Sequence, residues 1–104
     1  MSIELGSPHI EKAADGVARL RRFPRVRVAQ LVMDYLAHGW SVDEMCRQHP
    51  YLTPAEGHAA MAYYFDHKAE IEQQIEADLH EYEAARRKPE AVRVAQRLKL
   101  RRNA

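Results

Sequence analysis

VAQLVMDYLAHGWSVDEMCRQHPYLTPAEGHAAMAYY, residues 28–64, decides the fold of this 104-residue chain. Val28, Leu31, Val32, Tyr35 and Leu36 recur at i, i+3, i+4, i+7 and i+8, which gathers them on one face of a helix. Gly39 follows, a residue able to take the left-handed backbone that closes a helix. Ser41 and Glu44 form one Ser-x-x-Glu, and Thr53 and Glu56 one Thr-x-x-Glu. In each, the hydroxyl can accept from a first-turn N–H while the glutamate reaches back to the cap's own N–H. Pro54 suits the first helical position, where its missing donor costs nothing. The pattern predicts three short-linked helices, roughly 28–38, 41–48 and from 53 onward, in the order of a helix-turn-helix unit. Val42, Met45 and Cys46 supply the buried stripe of the second, and Ala60, Met61, Tyr64 and Phe65 that of the third. A helical core with no nucleic-acid task would show the same spacing. Gly57, inside the third helix, costs about 0.5–1 kcal/mol relative to alanine. Its presence predicts a close approach, either of the second helix or of a ligand.

Upstream, residues 1–15 are weakly patterned, with a short strand at 2–5 and a helical turn at 10–14 as the readings available. Asp15-Gly16 is a turn signal. The alternation of Val17, Ala18, Arg19, Leu20 and Arg21 after it predicts a short strand with one wet face. Pro24 belongs at an edge or bend, and Arg25 to Val28 resume the alternation. Arg19, Arg21, Arg22, Arg25 and Arg27 thus form a cationic ribbon suited to phosphates, and the same ribbon can pair with that of a second subunit.

Downstream, the third helix continues past Tyr64, where Ile71, Ile75, Leu79 and Tyr82 extend a narrow apolar seam on an otherwise charged helix. Lys68 sits where the seam expects an apolar group, so the seam can break there. The first reading of the seam is a homodimer contact and the second is packing onto the chain's own core. Beyond Pro89 a last basic helix is short enough to fray without a partner, and Arg93, Arg97 and Lys99 are its candidate contacts. The domain plan is therefore a leading segment 1–15, a ribbon arm with helical core and long third helix over 16–87, and a basic tail over 88–104.

The net charge is only +1, but it is distributed in blocks: no acid interrupts the arginines of 19–27, and seven acids fall between 66 and 83. Eight basic residues then crowd 86–102. Such blocks imply separate surfaces for separate partners, or neutralisation of one block by another across subunits. Cys46 is the only cysteine, so no intramolecular disulfide forms, and a buried inert thiol is expected. The absence of an apolar run of ~20 residues and of a secretory leader points to a cytoplasmic protein that does not enter a membrane. The six histidines include no pair at i, i+3 or i, i+4, and no nucleophile elbow or phosphate-cradling glycine loop occurs. No catalytic residue, metal site or cofactor is therefore expected, and the chain reads as a non-enzyme.

One resemblance emerges from these residues. Arg25-Val26-x-Val28 leads into Tyr35-Leu36-Ala37-x-Gly39-Trp40-Ser41-Val42-Asp43-Glu44, then Pro50-x-Leu52-Thr53 and Ala59-Ala60-x-Ala62-Tyr63-Tyr64. This stretch resembles domain-of-unknown-function family 433, whose members look like antitoxins encoded beside a PIN-like ribonuclease toxin. The family's usual Gly-Thr-Arg-Ile-Pro-Val is replaced here by Arg22-Phe23-Pro24-Arg25-Val26-Arg27-Val28. The resemblance implies a mainly α, dimeric helix-turn-helix domain that binds DNA and a toxin. Thr53, Glu56 and His58 then open the DNA-facing helix and the arginine ribbon meets phosphates. The alternative is an interaction module that uses the acidic seam and basic tail, with no DNA contact.

Overall fold

The computed structural model describes residues 8–85, 93, 94 and 96–99; the strand reading at 2–5 lies outside them. β1 (Ile10–Lys12) pairs antiparallel with β2 (Ala18–Leu20) in the register Ile10 to Leu20 and Lys12 to Ala18. The turn between them is built as the Asp-Gly pair demands. Gly16 takes φ +81°, a conformation that costs glycine little, and the Val17 N–H donates to Asp15 Oδ1 at 3.0 Å. The helical turn expected at 10–14 is therefore a strand instead. Alternation places Ile10, Ala18 and Leu20 on the buried face, so a partner strand and a core override a weak local helical preference. A bridge from Arg19 to Arg27 closes the loop around Pro24 and delivers the chain into the first helix.

α1 (Val28–His38) ends at Gly39, whose φ of +70° turns its N–H onto the Tyr35 carbonyl at 2.8 Å. α2 (Val42–Gln48) starts from Ser41, whose hydroxyl accepts from the Glu44 N–H at 3.2 Å. The reciprocal half of that box is not made, because the Glu44 carboxylate binds Arg47 and Gln48 along the helix. α3 (Pro54–Asp66) carries the complete box: the Glu56 N–H donates to Thr53 Oγ1, and the Thr53 N–H to Glu56 Oε1 at 3.0 Å. At His67 the axis breaks, and α4 (Lys68–Ala85) begins one residue later.

That break decides where the seam goes. Ile71 and Ile75 are fully buried and Leu79 nearly so, all in the core formed by Leu31, Leu36, Met45 and Tyr64. The homodimer reading of the seam is corrected for these three residues, which pack inside their own chain; Tyr82 stays exposed. A buried hydrogen bond from Tyr64 Oη to Glu72 Oε2, 2.8 Å, ties α3 to α4. At its described residues the basic tail also packs against the chain's own core. Val94 and Leu98 are buried in the core, and Arg93 Nη1 donates to the Ala37 carbonyl near the end of α1. An i, i+4 apolar pair with a core to meet is not left to fray. Among the described residues, no helix is long and apolar enough to cross a membrane.

Candidate interaction surface

Four of the five arginines expected to meet phosphates hold carboxylates of the chain itself. Arg19 pairs with Asp15 at 2.9 Å, Arg21 with Glu11 at 3.1 Å and Arg27 with Asp78 at 2.8 Å. Arg22 is held hardest. Its Nε and Nη2 donate to the two oxygens of Glu56 at 2.9 and 2.8 Å, and Nη2 also donates to the Tyr51 carbonyl. Glu56 is only 3% exposed. The arginine's hydrogen bonds lower the Glu56 carboxyl below its ordinary range; burial opposes this and the Thr53 N–H assists. Arg22 and Glu56 therefore lock the arm to the start of α3, with Glu56 buried and the Arg22 side chain still 49% exposed. Arg25 is exposed, and among the described residues it makes no ion pair.

Among the described residues one ion pair joins the arginine block to the acidic stretch, and it forms within the chain, between Arg27 and Asp78. On α3, Thr53 is spent as the cap, while Pro54, Ala55 and His58 face outward. Arg97 and Lys99 are exposed in the tail.

A feature missed by sequence reasoning joins the loops instead. His38 stacks on Trp40 with centroids 4.5 Å apart, and Trp40 meets His49 at 6.2 Å. His49 meets Tyr51 at 5.6 Å, and Tyr51 meets Phe23 edge-on at 5.4 Å. His49 Nε2 lies 2.8 Å from Asp34 Oδ2, which fixes the ring against α1. The Arg22 guanidinium stands 4.3 Å above the Phe23 ring. Phe23 and Tyr51 remain 36% and 39% exposed and, with Pro24, Arg25 and Val26, line an apolar hollow of about 480 Å³. The one signal available was that these aromatics sit in connections between elements, where a core role is least expected.

Cys46 is half-buried, and burial pushes its thiol above the ordinary range, away from nucleophilic use. Among the described residues, no group of three or more His, Cys, Asp or Glu side chains could hold a metal ion.

These elements define a small, mainly helical domain closed at one end by a two-stranded antiparallel ribbon. Residues 17–64, from β2 through most of α3, match the model of the family described as "Protein of unknown function (DUF433)". No curated protein and no solved structure matches the chain.

Proposed function

We propose that the chain is a non-enzymatic, antitoxin-like regulator. In this role it is a dimeric helix-turn-helix domain that turns α3 to duplex DNA and also binds a PIN-like ribonuclease toxin. The observation that carries the DNA part is the crossing of α2 and α3 at Gly57. A Cβ there would lie 2.7 Å from Val42 Cγ1, so the helices meet at a distance only glycine allows. The crossing leaves Pro54, Ala55 and His58 outward on the first turns of α3, the part of a recognition helix that meets base edges. The toxin follows from the family resemblance alone.

The internal ion pairs limit how the DNA would be held. Exposed pairs such as Arg21–Glu11 contribute about 0–1 kcal/mol, so a phosphate can displace the carboxylate. Arg22 cannot be released without uncovering Glu56. Few phosphate contacts and a shallow salt dependence follow, with each contact adding about 0.9 to the slope. The test is fluorescence anisotropy with a duplex from upstream of the chain's own gene and a shuffled duplex. Binding about ten-fold tighter to the first is expected; equal affinity for both would sink the regulator reading.

One observation favours a second role, a protein-interaction module without DNA binding. The arm's charge is largely consumed inside the chain, by Asp15, Glu11, Glu56 and Asp78. Replacing exposed Arg97 and Lys99 by glutamate separates the two, since it leaves Val94 and Leu98 in the core. Loss of toxin capture by this variant, with neither duplex bound by the wild type, would support the module without DNA contact, whereas duplex binding by the wild type would exclude it.

A further inference from the structure

The apolar hollow beside the arm is walled by Phe23, Pro24 and Val26 and, from the α2–α3 connection, by Tyr51. The carbonyls of all four residues are already bonded within the chain. That of Phe23 accepts from the Val26 N–H and that of Val26 from the Leu20 N–H. That of Pro24 accepts from Arg19 Nη1 and that of Tyr51 from Arg22 Nη2. The two rings meet edge-on, and the Arg22 guanidinium, itself tied to Glu56, stands over Phe23. The shape of the hollow is therefore set before anything binds.

Exposure and charge decide what fits it. Phe23 and Tyr51 each keep more than a third of their surface open, so the hollow offers apolar area to a partner. At its edge stands Arg25, exposed and, among the described residues, the one arginine of the arm with no carboxylate. The charge left over at the hollow is thus positive and uncompensated. A nucleobase suits it poorly, because the wall carbonyls are taken and the polar edges of a base would go largely unpaired. A tightly held small molecule is mostly enclosed by its pocket, which walls this open do not do. We infer that the hollow docks a peptide segment of another protein. One large apolar side chain seats against Phe23, Val26 and Tyr51, and a neighbouring carboxylate meets Arg25. Arg25 is two residues from Phe23 and one from Val26, so an acid next to the anchor in sequence is within reach. This docking site goes beyond the regulator reading and does not need it, since the duplex would lie on α3. It also makes no use of Arg97 and Lys99 in the tail.

Amide chemical shifts of the isotope-labelled full chain test it, with the synthetic peptide acetyl-Gly-Phe-Glu-Gly-amide as the probe. Saturable shifts at Phe23, Val26 and Tyr51 are expected. Affinity should fall by at least ~5-fold when alanine replaces the peptide's phenylalanine or glutamine its glutamate. Arg25→Glu, at an exposed position, should bind the glutamate peptide at least ~5-fold more weakly and prefer a lysine peptide instead. An arginine with only a structural role would not reverse that preference, and circular dichroism melting checks that the variant is folded. No saturation by about 10 mM peptide, or shifts confined to other surfaces, would overturn the docking site. So would an alanine peptide that binds as well as the phenylalanine one. Phenylpropionate bound as tightly as the peptide would overturn it in favour of a small carboxylate, and a single-stranded thymidine oligonucleotide bound more tightly at the same amides would overturn it in favour of nucleic acid. Duplex binding, read by anisotropy, is a separate result: its failure removes the regulator reading and leaves this site intact.

Discussion

Gly57→Ala is the sharpest perturbation of the helical core. Judged by propensity alone, alanine in α3 should stabilise by about 0.5–1 kcal/mol. The crossing reverses the sign. The added Cβ would lie 2.7 Å from Val42 Cγ1 and 3.6 Å from Val42 Cβ and Cγ2, against a carbon–carbon optimum of about 3.5–4.0 Å. Val42 is a β-branched residue at the first position of α2, nearly buried, so no flexible end can swing away. Relief needs α2 to slide by most of an ångström, and overpacking of this kind costs about 1–3 kcal/mol. The net expectation is a loss of about 1–2 kcal/mol, read as a melting temperature lower by roughly 5–10 °C in thermal denaturation. Val42→Ala removes the obstructing methyl. The double variant should therefore be more stable than the two single losses added together, by about 1 kcal/mol in a double-mutant cycle. An alanine variant as stable as wild type, or a cycle with no coupling, would refute the close crossing.

Leu98→Ala should cost about 2–5 kcal/mol in urea unfolding, because the side chain is fully buried although it sits in the basic tail; an indifferent variant would return the tail to a frayed segment. Gly39→Ala should cost about 1 kcal/mol, since φ of +70° strains any side chain even in the open space around it, and the midpoint of the same unfolding curve reads it. Glu56 brings a pH dependence. Its carboxyl titrates below its unfolded value, so its contribution is complete above about pH 4.5 and is lost as pH falls through the folded value. Glu56→Gln should be less stable than wild type near neutrality and flatter in acid, which unfolding midpoints across that range would show.

What was legible in the sequence was local. The α1 periodicity, the Gly39 stop, the Thr53–Glu56 box and the Asp15-Gly16 turn each act within a few residues, and each was found in place. What escaped was set by distance along the chain. Arg22 meets Glu56 across 34 residues and Arg27 meets Asp78 across 51, so five arginines in a row looked free when most are spent. The seam on α4 was visible, but its direction depends on the break at His67, which no glycine or proline announces. β1 was misread because three residues cannot declare a strand without the partner that pairs with them. Trp40, Tyr51 and Phe23 come from three separate connections, and only the fold lines them up.

The role proposed for α3 is exposed most directly by charge placed on its outward turns. Ala55→Glu with His58→Glu puts two carboxylates on exposed positions of the first turns, where acids suit the helix N-terminus and should not unfold the domain. Anisotropy with the upstream duplex, at fixed salt, is expected to show affinity reduced by at least ~10-fold, with the melting temperature unchanged. Undiminished binding by the folded variant would mean that α3 does not face DNA.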